Sequence, residues 1–270
     1  MSAAATALPA PRERLAVRRL LGFVVPGALL LAWWLATRGS GYSLIPSPGD
    51  VLGALRDLAF GGEDDAFSGR LAAHLGASVG RVYGAFLLAC LVALPLGLLI
   101  GRLRLAAELL DPLLQVLRPV PVTAWLPLSM ILFGLGARSA FFLVALGAFF
   151  PVLLNTVFAV RSVEPRLFEA AAMLGVSPAR MFPQVVLPAS LPGIFTGLRL
   201  GLGFAWVVIV VGEMTGVQTG LGAMMMDARQ LSRTEIVVAG MVVIGLAGFL
   251  SDLAVQRLGR RLLRWSPAHG

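Results

Sequence analysis

Two histidines, one cysteine and an all-arginine set of 22 basic residues leave this 270-residue chain little with which to catalyse a reaction. A P-loop needs G-x-x-x-x-G-K-[ST], whose lysine reaches the nucleotide phosphates, and the chain has no lysine. ATP hydrolysis by that route is excluded. A nucleophilic serine needs a base at its own depth, but His74 precedes an apolar run and His269 sits in the C-terminal tail. There is no H-E-x-x-H and no carboxylate cluster within the apolar runs, so nothing suggests a metal site. Cys90 stands alone inside an apolar run and allows neither a disulfide nor a cysteine metal site. What remains is charge in apolar surroundings, at Arg81, Arg199 and Glu213, and one polar stretch, EAAAMLGVSPARMFPQVVLPASLP, residues 169 to 192.

An ionisable side chain within a membrane span costs at least a few kcal/mol at mid-bilayer and is a functional candidate by default. Depth tempers that expectation. Arg199 lies within about two turns of the end of its run and can snorkel. Arg81 and Glu213 lie near the opposite end of theirs: Glu213 is expected to gate a mouth or pair with an arginine, and Arg81 is the better contact for an anionic solute on charge alone.

The elements that must position these residues follow from composition. The chain is 58% hydrophobic and 13% charged, with a mean hydropathy of +0.87, against roughly 45 to 50% apolar and about 25% charged in a soluble domain. No polar block is long enough to fold by itself, so the expectation is an all-α, polytopic membrane protein built as a single transmembrane domain. A span needs roughly 20 mainly apolar residues. Candidates lie near residues 20–37, 77–100, 113–136, 139–160, 191–213 and 235–257, about six helices.

The net charge of +8 does not indicate nucleic acid, because most of the arginines cluster at the ends of the apolar runs and report topology. Arg12, Arg14, Arg18 and Arg19 precede the first run, while Asp50, Asp57, Glu63, Asp64 and Asp65 follow it. The positive-inside rule then places the N-terminus in the cytoplasm. Six crossings put Arg102 and Arg104, Arg161, Arg166 and Arg180, and Arg257, Arg260, Arg261 and Arg264 on the same side, with Arg138, Arg229 and Arg233 as outward exceptions. The first run is too long for a signal-peptide core, and Leu35-Ala36-Thr37 before Arg38 is a poor cleavage site, so an uncleaved helix is expected. The expected layout is a cytoplasmic tail over 1–19, a transmembrane domain over 20–265 and a C-terminal tail over 266–270, with both termini cytoplasmic.

The polar stretch then falls in a cytoplasmic loop, 161–190, between the fourth and fifth spans. Pro165 suits the first turn of a helix and Gly175 its end, with Leu167, Ala170, Ala171 and Leu174 repeating on one face. Ser177 and Pro178 read as cap and first residue of another short helix, which Pro183 and Pro188 are expected to curtail. An interfacial anchor would carry large apolar residues opposite basic ones. Ala170, Ala171 and Ala172 beside Glu169 instead offer a small surface that another protein can approach closely.

Pro119, Pro121 and Pro127 interrupt the third span, and such breaks are tolerated where freed carbonyls face protein or a water-lined cavity. That span either lines a pathway or is a kinked packing helix. Gly193, Gly197, Gly201 and Ala205 form a small-residue face for close helix packing. Gly80 with Gly84 and Gly97 with Gly101 repeat the pattern in the second span.

Glu169-Ala170-Ala171, then Gly175, then Leu187-Pro188 follow an E-A-A, G, L-P pattern, and on these residues the chain resembles the permease subunits of bacterial ATP-binding-cassette importers. The branch it resembles handles nitrate, taurine and aliphatic sulfonates. Arg118-Pro119-Val120-Pro121, Leu126-Pro127-Leu128, Phe133-Gly134-Leu135-Gly136, Phe150-Pro151, Asn155-Thr156, Glu213 ahead of Gly220-Leu221-Gly222, and Arg264-Trp265 extend the resemblance over roughly residues 70 to 265. It implies that the loop docks in a cytoplasmic ATPase and carries ATP-driven closure into the bacterial inner membrane. It also implies a paired permease, two ATPase copies that use ATP and Mg, an extracytoplasmic solute-binding protein, and no cofactor on this chain. The rival reading is an ion-coupled secondary transporter, which would show ionisable residues at mid-span and an inverted repeat. A scaffold that docks without transport is a third class, against which the broken third span argues.

Overall fold

The apolar runs form helices because in hydrocarbon each backbone N–H and C=O must find its partner within the same segment. The computed structural model describes residues 12–38, 45–62, 65–263 and 265, with the backbone alone for 12–23. Arg264, His269, Glu63 and Asp64 and the side chains of Arg12, Arg14, Arg18 and Arg19 lie outside the described residues. The helices are α1 (Arg12–Ala36), α2 (Pro48–Phe60), α3 (Leu71–Arg102), α4 (Arg104–Leu117), α5 (Leu126–Phe133), α6 (Ala137–Arg161), α7 (Pro165–Met173), α8 (Pro178–Met181), α9 (Leu187–Glu213), α10 (Leu221–Gln230) and α11 (Thr234–Leu262).

Among the described residues, four segments are long and apolar enough to cross a membrane: α3, α6, α8 continued through α9, and α11. The expected third span is not one helix. α4 and the Val122–Phe133 segment meet at 88°, so together they count as at most one broken span. Pro119 and Pro121 have no N–H to continue the ladder of α4, and Pro121 turns to extended backbone at φ −57°, ψ 136° before a short 3-10 turn, Val122–Trp125. Within α1, the apolar part with described side chains is Val24–Ala36, shorter than a full crossing.

Small residues determine how the long helices meet. α3 and α6 run parallel and α9 runs antiparallel to them, with Val82, Ala89, Val144, Val152, Leu202 and Ala205 buried at their contacts. A Cβ on Gly197 would lie 2.7 Å from Asn155 Cβ, and one on Gly201 would lie 2.6 Å from Val152 Cγ2. On α3, Gly97 faces Thr156 and Gly101 faces Val160. The α9 glycine face is therefore used inside this chain, against α6. Gly80 has open space around it and takes no part in such packing. Gly197→Leu is expected to lower stability by about 1 to 3 kcal/mol through overpacking, read as a lower unfolding midpoint in detergent. Gly203→Leu, where a Cβ meets nothing within 4 Å, is the matched control; equal midpoints for the two would contradict this packing.

A second cluster sits where α3 begins and α9 ends. α2, α10 and the start of α11 bury Val51, Leu58, Leu221, Met224, Ile236 and Ala239 together. Hydropathy gave no warning of α2 and α10, which are too short to span. α2 is set by a capping box: the Asp50 N–H donates to Ser47 Oγ at 3.2 Å, and the Ser47 N–H donates to Asp50 Oδ2 at 2.8 Å. The bonds from the Ser47 hydroxyl and backbone hold the Asp50 carboxyl below the usual carboxylate range.

Candidate functional site

α7 ends as its sequence requires. Gly175 takes φ +80°, in the left-handed region. The Gly175 N–H donates to Ala172 O and the Val176 N–H to Ala171 O, both at 3.0 Å. This pair of bonds is a Schellman motif with Gly175 as its αL residue. Pro165 sits in the first turn of α7. Ser177 and Pro178 occupy the cap and first position of α8, but the Ser177 side chain makes no capping bond; its carbonyl accepts from the N–H of Arg180 and Met181 instead.

The expected apolar face of this loop does not pack inward. Of Leu167, Ala170, Ala171 and Leu174, only Ala171 is buried, and Leu174 is 85% exposed beside Met173 at 83%. Glu169 and Ala170 are exposed on the same short helix. The proline expectation also fails. Pro183 and Pro188 do not end the second short helix, because Phe182–Val186 forms a π-turn in which the Leu187 N–H bonds to Phe182 O. A widened turn shifts the hydrogen-bond register by one residue and lets the chain run past two residues that cannot donate. Leu187 and Pro188, half-buried, start α9 directly from that turn, so α8 and α9 form one continuous helical segment.

The proline break opens a second feature. Beside it lies a cleft of about 740 Å³ lined by Arg118, Pro119, Pro121, Asn155, Arg161 and apolar neighbours. Arg161 is held by α4 and α3: its Nη2 donates to Asp111 Oδ2 at 2.9 Å and to Ile100 O at 3.4 Å. Asn155 Nδ2 donates to Pro151 O at 2.8 Å, leaving its second amide hydrogen free to donate. Pro127 lies in the first turn of α5, beyond the 3-10 turn.

Arg81 and Glu213 are not at this cleft but at the opposite end of α6, where they pair with each other. The Glu213 side chain is fully buried while that of Arg81 keeps 17% exposure. Ser78 Oγ donates to the same carboxylate at 2.8 Å, and the Gly222 N–H at 2.9 Å. Arg81 Nη2 also donates to Thr219 O at 2.6 Å, and His74 Nδ1 lies 2.9 Å from Gly220 O. Glu213 therefore has no open face toward a solute. It is the anchor on which the Gly220-Leu221-Gly222 turn is tied to α3. Gly220 and Gly222 are needed there for space: a Cβ on either would collide with Glu213. The sequence hinted at the pairing with an arginine but not at Ser78 or His74, which carry no pattern of their own.

Arg199 makes a fork-shaped ion pair with Asp252 of α11, Nε to Oδ1 and Nη2 to Oδ2, both at 2.8 Å. The signal that could have found the partner is Asp252 itself, an acid inside the sixth apolar run.

Residues 93–264 match the family described as binding-protein-dependent transport system inner membrane component. The chain is 39% identical over 247 residues to a protein of Bacillus subtilis (strain 168) that bears the name of an aliphatic sulfonates transport permease, covering 90% of this chain and 87% of that one. It is 37% identical over 239 residues to the taurine transport system permease protein of Escherichia coli (strain K12), covering 88% and 86%. Its fold is similar to a chain of the MetNI methionine ABC transporter in an inward-facing conformation, with a TM-score of 0.58 at 19% identity over 71% of this chain and 93% of that one. These relatives support the importer permease over the ion-coupled carrier. By these matches the chain belongs to the family of inner membrane components of binding-protein-dependent transport systems.

Proposed function

We propose that this permease forms the solute pathway of an ATP-driven importer for a small organic anion such as a sulfonate or taurine, or for nitrate, and that the α7–Gly175–α8 loop is where a separate ATPase drives it. The carrying observation is the loop's outward apolar tip, Met173 and Leu174, on a Schellman turn, followed two residues later by a helical segment that is continuous from Pro178 through α9. An apolar tip in water is stabilised by a partner's cleft, and the continuous helix carries movement of the tip into the membrane core. Glu169, Ala170 and Gly175 form the docking face, Ala171 packs beneath it, and Leu187 and Pro188 connect it to α9.

In this reading the loop over 161–190 and both termini are cytoplasmic, as the arginine distribution favours. Two ATPase copies use ATP and Mg, the permease itself is non-catalytic and works as a pair, and an extracytoplasmic binding protein delivers the solute. The relatives named for sulfonates and taurine support the substrate class.

The test is mild-detergent purification of the tagged permease from native membranes followed by mass spectrometry. A P-loop ATPase is expected to accompany it and to be lost when Leu174→Asp removes the apolar tip. Recovery of other membrane complexes without any ATPase would move the ion-coupled carrier to the front.

A further inference from the structure

We infer that the cleft at the proline break is an anion-binding station in which Arg118 is the recognising cation. The inference deepens the transport reading by naming residues of its pathway.

The argument is one of charge balance and surface. The cleft is walled by two arginines, Arg118 and Arg161. Arg161 has a carboxylate, Asp111, at 2.9 Å. Arg118 is exposed, and among the described residues its guanidinium has no hydrogen-bond or ion-pair partner. One cation in the cleft is thus uncompensated. In a protein surrounded by lipid an unpaired guanidinium is costly unless water or an anion meets it, and its planar fork of donors matches an oxyanion with two oxygens in one plane. The second Asn155 amide hydrogen supplies a further donor in the same cleft. Arg118 caps α4 at the corner that Pro119 and Pro121 make before the 3-10 turn.

The rest of the wall is apolar, with Phe150, Phe158 and Phe204 beside Val122, Leu154 and Val157. An inorganic oxyanion would leave these rings wet, whereas an anion with a short alkyl body removes apolar surface from water as its head meets Arg118. The station therefore takes an alkyl-bearing oxyanion in preference to nitrate. A sulfonate solute and the phosphate of a lipid headgroup share the oxyanion chemistry, so the test separates them.

The full-length permease in nanodiscs of neutral phosphatidylcholine is titrated with sodium butanesulfonate, sodium nitrate and butylammonium chloride at constant ionic strength, with intrinsic tryptophan fluorescence as the readout. Butanesulfonate is expected to bind at least about tenfold more tightly than nitrate, and butylammonium not at all. Arg118→Gln is expected to weaken butanesulfonate at least about tenfold, the scale of one charge-assisted hydrogen-bond pair. Arg118→Lys, which keeps charge but loses the fork, falls between. Arg257→Gln, the same charge change at an exposed site on α11, leaves the affinity unchanged. Absence of saturable butanesulfonate binding, an Arg118→Gln affinity equal to the parent's, or nitrate binding as tightly as butanesulfonate would each overturn the proposal. Discs containing phosphatidylglycerol provide the last arm: if that lipid abolishes butanesulfonate binding, the station belongs to a headgroup and the proposal falls. Since no ATP is involved, the station can fail while ATPase coupling stands, and the reverse.

Discussion

Replacing Gly175 with tryptophan is expected to abolish ATP-driven uptake while the permease remains inserted and folded. Two separate effects act at this position. The first is conformational: Gly175 sits at φ +80°, and a residue with a Cβ pays about 1 to 2 kcal/mol to stay there. The second is steric and external. A Cβ on Gly175 meets nothing within 4 Å inside the chain, so an indole projects from the loop tip beside Met173 and Leu174 and blocks a partner without disturbing any internal contact. Gly175→Ala separates them, since it carries the backbone cost with almost no bulk. Uptake in vesicles should fall modestly for alanine and by a factor of about ten or more for tryptophan, with insertion and detergent stability near those of the parent. Uptake at the unmutated level in the tryptophan variant would remove Gly175 from the coupling reading. A tryptophan variant that fails to insert would mean instead that the Schellman turn is needed for folding.

Glu213→Ala is expected to be strongly destabilising. Its carboxylate is fully buried and meets Arg81, the Ser78 hydroxyl and the Gly222 N–H. Removing it leaves a largely buried guanidinium and two donors without their acceptor. Breaking a buried pair from one side costs about 3 to 5 kcal/mol, because the surviving charge stays desolvated. The loss should appear as a much lower unfolding midpoint and as early exposure of the turn after Thr219 to protease. Glu213→Gln keeps the shape and one acceptor and should cost less. Combining Glu213→Gln with Arg81→Gln should cost less than the sum of the two single changes, since each single change carries the penalty of the partner it orphans. Strictly additive losses would show that the two residues do not act as a pair.

The elements legible in the sequence are those whose cause is local. Gly175 closes α7 because glycine reaches the left-handed region without a Cβ clash, and Pro165 opens it because its missing N–H is spare in a first turn. The same local logic misled at Pro183 and Pro188. A proline was expected to end the helix, yet one widened turn at Phe182–Val186 carries it through, and no residue pattern announces a π-turn. The third apolar run illustrates the complementary limit: its prolines announced a break, but the 88° corner depends on what α4 and α5 each pack against.

Composition and spacing alone determined that the chain is helical, is apolar enough to span a membrane, lacks the lysine of a nucleotide-binding loop and carries a polar loop closed by Gly175, because hydropathy, absent residue types and cap residues act over a few neighbours at most. Only the tertiary structure decided which faces meet. It paired Glu213 with Arg81 and Ser78, gave Arg199 to Asp252, turned the α9 glycines toward α6, left Leu174 in the open and left Arg118 unpaired beside a cleft. The pairings among these join residues far apart in the chain, and a charge or a glycine at one position does not encode the distance to a partner that only the packing of helices brings within reach.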